Sequence, residues 1–301
     1  MLRRRFKPLL DAAVGAFALG LIRAVRWFDR RRTANLVAAI ARTIGPLFKE
    51  TRLGRAQLRA AFPEKSDAEI ELILAGVWDN LGRVAVEFAH LDKFGLKDFG
   101  PQKPESMDYA PETRERVAAM AASPKATICF VAHLANWELS GVAAGRTGIK
   151  SAVLFRRPNI GAISDAVIKL REPLMGQLVA TSLDAPVKLA RMLDAGTHVG
   201  MLADQHFVKG VEVTFFGRRC LANPLVALLA RQTEAPIHGI RVVRQPDRNS
   251  FWLEVTDAIV PPREADGRIA IAGTMQVITS IIESWVRAHP EQWLWLHRRW
   301  R

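Results

Sequence analysis

From residue 126 onward, short apolar or β-branched runs alternate with helix-patterned stretches, and this alternation restricts the possible folds more than any other feature. Seven runs qualify: 126–132, 151–155, 178–181, 198–203, 211–216, 236–243 and 251–255. Helical stretches at 160–175, 184–195 and 223–233 separate several of them, and a last helix covers 268–288. Strands joined through helices need crossover connections, so the expectation is an α/β body with a mixed, largely parallel central sheet flanked by helices. Residues 9–90 read as mostly helical, with apolar positions such as Leu74, Trp78, Leu81, Val84 and Phe88 at three- and four-residue spacing. Ser66-Asp67-Ala68-Glu69 has the form of a capping box that opens one of these helices. Pro101, Pro104 and Pro111 mark 91–111 as a break. The division expected is a basic amphipathic membrane-associating helix over 1–32, a helical part of the body over 33–110, and an α/β core over 111–301.

Composition narrows the function classes. The 301 residues include 43 Lys and Arg against 30 Asp and Glu, a net charge of +13, while 49% are hydrophobic. Such a chain is neither a polytopic membrane protein nor disordered. Cys129 and Cys220 are too few for a disulfide framework or a cysteine zinc site. The charge gathers at the ends: residues 1–32 carry nine basic side chains against Asp11 and Asp29, and Arg298, Arg299 and Arg301 crowd the last four positions. The uncharged run Ala12–Ile22 has 11 residues, well short of the roughly 20 that a spanning helix needs. Arginines flank it on both sides and no small-residue cleavage site follows. The expected structure is a helix lying in an anionic membrane surface, with Leu9, Leu10, Phe17, Leu21, Trp27 and Phe28 as apolar candidates. The alternative is an amphipathic helix docked on the protein's own core. Nucleic acid is not an expected partner, since the arginines stand beside large apolar groups and no helix-turn-helix, zinc-finger or RNA-binding signature occurs.

The candidate chemistry follows the first run, in Phe130-Val-Ala-His133-Leu-Ala-Asn136-Trp137-Glu138. Ligands of open α/β sheets sit at the carboxyl ends of the strands, where His133 stands. Five residues of spacing would turn two side chains about 140° apart on one helix. They meet only if His133 is in the loop and Glu138 is in the first turns of the next helix. A carboxylate there would fix the imidazole tautomer and raise its basicity, giving a general base. With no adjacent Ser or Cys and no G-x-S-x-G, direct transfer to an activated hydroxyl is favoured over an acyl-enzyme. By itself the H-x-x-x-x-E spacing occurs by chance, and a strand-end histidine with a helix-N-terminal glutamate is the plain alternative. His198, His206, His238 and His297 have no metal-ligand spacing.

His133-Leu-Ala-Asn-Trp-Glu138 resembles the H-x-G-N-W-E motif of the lipid A late acyltransferases, relatives of the glycerophosphate-type acyltransferases. The resemblance continues through Phe155-Arg156-Arg157-Pro158-Asn159, Arg171, Leu202-Ala-Asp204-Gln205, Gly210–Gly217 and the tail Pro290–Trp300, over roughly 120–301. It departs at Ala135, where the family has glycine, and alanine resists positive φ. The resemblance implies His133 and Glu138 as the catalytic pair. It further implies Asn136, Arg156, Arg157, Arg171, Asp204, Glu212 and Gly217 as substrate-binding residues, although Asn136 also suits shaping the turn and the arginines could be solvated charges. No metal or other cofactor is implied. The implied activity moves a fatty acyl chain from acyl carrier protein to a hydroxyl of a phosphorylated, acylated disaccharide lipid at the cytoplasmic face of the inner membrane. Two alternatives stay open: acyl-CoA-dependent acylation of another membrane glycolipid, such as a phosphatidylinositol mannoside, and a non-catalytic membrane-binding protein of the same fold.

Overall fold

The computed structural model describes the backbone of residues 2–158 and 161–300 and most side chains from residue 12 onward. Leu9, Leu10 and Asn159, named above, lie outside the described side chains. Four helices come first: α1 (Leu2–Val25), α2 (Arg30–Ile44), α3 (Lys49–Ala61) and α4 (Asp67–Phe88). Ser66 and Glu69 form the expected capping box, with the Ser66 hydroxyl accepting from Glu69 N and the Glu69 carboxylate accepting from Ser66 N at 2.8 Å. The 91–111 segment is not only a break, because it contains β1 (Phe94–Leu96) and β2 (Glu105–Tyr109). Both are short and Pro101 and Pro104 fall in their connection, so no period-two run announces them.

The remaining order is α5 (Pro111–Ala122), β3 (Ile128–Val131), α6 (Glu138–Arg146), β4 (Ser151–Phe155), α7 (Gly161–Met175), β5 (Gln177–Ala180), α8 (Ala185–Asp194) and β6 (His198–Leu202). It continues through β7 (His206–Phe215), β8 (Arg218–Ala222), α9 (Leu225–Thr233), β9 (Ile237–Arg244), β10 (Phe251–Val255) and α10 (Ile271–Ala288). All seven expected runs are strands. Eight strands form one sheet in the order β1-β2-β10-β9-β3-β6-β4-β5, and β9–β10 is its one antiparallel pair among the described residues. Strands β7 and β8 form a separate hairpin. The sheet is therefore mixed and largely parallel, flanked by helices.

Strand β3 lies between β6 and β9 and every residue in it is buried, which is why Ile-Cys-Phe-Val reads as a continuous apolar run rather than an alternating one. Phe130 stacks on Trp285 of α10 with ring centroids 5.5 Å apart. The tail beyond α10 returns to this core, burying Trp293, Trp295 and Trp300. Gln57 of α3 fixes it by donating to the carbonyls of Trp295 and His297 and accepting from Arg299 N.

A charged cluster lies behind the carboxyl end of β3. Glu87, at the end of α4, is fully buried; it accepts from Arg244 Nη2 at 2.9 Å and from Asn136 Nδ2 at 3.0 Å, and Arg30 stands 3.7 Å away. Removing one partner of a buried ion pair leaves an uncompensated charge and costs about 3–5 kcal/mol. Glu87→Gln should therefore lower unfolding stability by about that amount, read from the urea midpoint; a loss under about 1 kcal/mol would mean that the arginines are satisfied without it.

Candidate active site

Pairing register builds the site. Val131 of β3 sits opposite Leu202 of β6, so two residues beyond each strand end His133 and Asp204 come side by side. His133 N donates to Asp204 Oδ2 and His133 Nδ1 contacts Asp204 Oδ1, both at 2.8 Å. Trp293 Nε1 donates to Asp204 Oδ2 at 2.7 Å. Burial alone would raise the Asp204 pKa, but attraction to His133, two hydrogen bonds from that residue and one from Trp293 outweigh it and hold the carboxyl below the usual carboxylate range. An ionised Asp204 requires the proton on Nδ1, which leaves the Nε2 lone pair free to accept. Gln205 Nε2 lies 3.3 Å from that nitrogen, in a narrow cleft completed by Leu294, His297 and Arg298.

Glu138 is placed differently from the expectation. It opens α6 as supposed, yet its carboxylate turns to α7, where Arg171 grips it through Nε at 2.8 Å and through Nη2. Trp137 intervenes, its ring edge-on to the His133 ring at 5.0 Å and its Nε1 donating to Glu138 Oε1 at 3.2 Å. The carboxylate that holds the imidazole is Asp204, 71 residues away in sequence. Arg171 lies 5.5 Å over the Phe88 ring, so both its charge and its flat face are engaged.

The turn between His133 and Glu138 is held from three sides. Ala135 has φ +46°, so alanine takes the left-handed conformation that glycine adopts without a Cβ penalty, at a cost of about 1–2 kcal/mol. Its carbonyl accepts from Asn80 Nδ2 at 3.0 Å and its N–H donates to Gln292 O at 2.9 Å. Leu294 N donates to His133 O at 3.1 Å. Asn136 is fully buried, donating to Glu87 and accepting from Glu138 N at 3.3 Å; it shapes the turn and has no surface to offer a substrate.

Arg156 and Arg157 are exposed after β4. The charge of Arg156 reaches His297, whose pKa is lowered first by burial and then by His133 and Arg156, against an opposing pull from Asp204. Glu212 is exposed on β7, 3.5 Å from Arg219, and does not line the cleft. Gly217 has φ +67° beside Phe216 at +51° in the two-residue turn of the β7–β8 hairpin, the pattern of a type I′ turn, so its conformation answers to the hairpin. Gln205, Trp293 and His297 were not among the expected site residues. The Asp204-Gln205 dipeptide at a strand end and the tryptophan-rich tail were the signals available for them. Among the described residues no three His, Cys, Asp or Glu side chains gather as a metal ion would need.

Comparison with known proteins gives two findings. The family model for bacterial lipid A biosynthesis acyltransferases matches residues 4–301. Lipid A biosynthesis acyltransferase 2 of Shigella flexneri is 24% identical over 287 residues, covering 93% of this chain and 87% of that protein.

Proposed function

The chain belongs to the bacterial lipid A biosynthesis acyltransferase family, and from that premise we propose that it moves a fatty acyl chain from an acyl carrier protein thioester to a hydroxyl of a phosphorylated, acylated disaccharide lipid. The observation that carries the mechanism is the His133–Asp204 contact, which leaves the other imidazole nitrogen unprotonated at the cleft, beside the Gln205 amide. His133 Nε2 removes the acceptor hydroxyl proton as that oxygen bonds to the thioester carbonyl carbon. The tetrahedral adduct collapses, the C–S bond breaks, and the imidazolium returns the proton to the departing thiolate. Asp204 stabilises the imidazolium between the two transfers. Ester and free thiol are the products, and no acyl-enzyme forms. Cys129 is no competing nucleophile, because burial within β3 pushes its thiol up to about 11.

Glu138, in this reading, acts through Arg171 and Trp137 rather than on the imidazole directly. The exposed Arg156, near His297, and Arg298 in the lining give the cleft a basic rim suited to lipid phosphates and to an acidic carrier protein. The protein works at the cytoplasmic face of the inner membrane as a peripheral or monotopic enzyme; no described helix is long and apolar enough to cross a membrane.

The test is incubation of the purified protein with acyl carrier protein thioesters of several chain lengths, the matching CoA thioesters, and a tetra-acylated acceptor, followed by mass spectrometry. A product one acyl chain heavier, made faster from the carrier-protein donor, is expected. Equal or better use of CoA would overturn the donor assignment, and no product from either would overturn the reading. Arg156→Ala should raise the acceptor KM about tenfold or more, since a charge-assisted contact contributes about 1.5–3 kcal/mol, with the donor KM within about twofold. Equal effects on both substrates would return Arg156 to a solvated role.

A further inference from the structure

Helix α2 is packed the wrong way round for a helix whose outer face meets only water. Its inner face, against α4, presents Ala34 and Ala38, both fully buried. Gly82 of α4 comes so close that a Cβ there would stand 2.8 Å from Ala38 Cα. Close approach of small residues leaves the large side chains no room on that side. Leu36, Ile40 and Ile44, spaced by four, form a single stripe, and Leu36 lies about 200° round the helix from Ala34. They are 61%, 48% and 43% exposed, and Leu47 just past the helix end is 85% exposed. An amphipathic helix of a soluble body puts its large aliphatics inward; here the small residues are inside and the large ones outside.

A second exposed apolar set lies on α1 and the link to α2: Val14, Phe17, Leu21, Trp27 and Phe28. Of the eighteen large hydrophobic residues exposed among the described ones, ten fall between Val14 and Phe48. Arg23, Arg31, Arg32, Lys49 and Arg52 are exposed in the same stretch, against Asp29 and the half-buried Glu50. A second copy of this chain seated on this face would bring like charges together. An anionic bilayer surface supplies both an apolar layer and negative headgroups.

We propose that the outer face of α2, from Leu36 to Ile44, inserts into the lipid interface, so that membrane contact is not an N-terminal anchor alone. The proposal rests on the membrane location proposed above and adds a defined lipid-facing surface. Lipid burial of these side chains also explains why the region tolerates so much exposed apolar area.

The experiment uses the full chain without detergent and vesicles of phosphatidylethanolamine and phosphatidylglycerol, in high salt to suppress the purely ionic part of binding. The combined variant Leu36→Ser, Ile40→Ser, Ile44→Ser should lower the vesicle partition coefficient about tenfold or more with an unchanged circular dichroism spectrum. A control variant, Leu72→Ser with Leu183→Ser, alters exposed leucines outside the patch and should partition like the parent. A solvatochromic dye on Ile40→Cys should shift blue when vesicles are added; the two native cysteines are buried. A parent protein that floats, with a triple variant that floats equally well and no blue shift, overturns the α2 surface while leaving the membrane location standing. A parent that does not float overturns both. A blue-shifted dye in protein alone, together with a dimer mass that the triple variant loses, assigns the face to a second copy and overturns the proposal.

Discussion

His133→Ala lowers kcat by about 10²–10⁴-fold, the range over which a positioned general base acts, while the circular dichroism spectrum and the unfolding midpoint stay near those of the parent. The two halves of this expectation have separate grounds. The ring's one described acceptor partner is Asp204, and its other nitrogen faces the cleft, so truncation removes the group proposed to take the acceptor proton. The backbone contacts that shape the turn, His133 N to Asp204 and Leu294 N to His133 O, survive the substitution. The measurement is steady-state turnover by mass spectrometry beside a thermal melt. Retention of more than about a third of the parental rate would remove His133 from the chemistry.

Asp204→Asn should cost a comparable factor, about 10²–10⁴ in kcat with a much smaller change in acceptor KM. The amide is the same size, so packing against Trp293 is largely kept, but two things are lost. One is the negative charge that stabilises the imidazolium at the moment of transfer. The other is tautomer control, because an amide can present an N–H to Nδ1 and move the ring proton to Nε2, where it blocks base action. The informative comparison is with Glu138→Gln. If Asp204 holds the base, its amide variant is the more damaged of the two in kcat, and joining Asp204→Asn to His133→Ala adds little, since the pair works as a unit. A nearly full rate in Asp204→Asn alongside a collapse in Glu138→Gln would return the orienting role to Glu138 through a rearranged turn.

These two carboxylates mark the boundary of what the sequence discloses. Continuous apolar runs such as 126–132 and 151–155 declare buried parallel strands, and Ser66-Glu69 declares a helix start, because those signals are local. Strands β1 and β2 were hidden by three-to-five-residue lengths and the intervening prolines, and β8 by the charged Arg218-Arg219 at its start. His133 was legible as a strand-end base candidate. Its partner was not: a carboxylate five positions on is the neighbour that a linear reading offers, whereas the one in contact comes from a strand whose adjacency depends on sheet order. The direction of the Glu138 side chain is set by Arg171 on α7, an encounter that spacing does not encode. The inverted faces of α2 were equally hidden, since the periodicity of Leu36, Ile40 and Ile44 predicts a stripe without saying which way it points.

The clamp on the turn that carries His133 has a kinetic corollary. His133, Asp204 and Trp293 are joined across 71 and 89 residues of chain, and Gln292 closes the same turn by accepting from Ala135 N. Loop closures of that length are slow relative to helix formation and carry an entropy cost that local contacts do not offset. The site has no local precursor. A helix-rich collapsed chain can hold most of its secondary structure while the imidazole has neither its carboxylate nor its indole. Under the proposed mechanism, competence for proton transfer would thus report on the completed topology, and a chain that has not docked its tail would be inert.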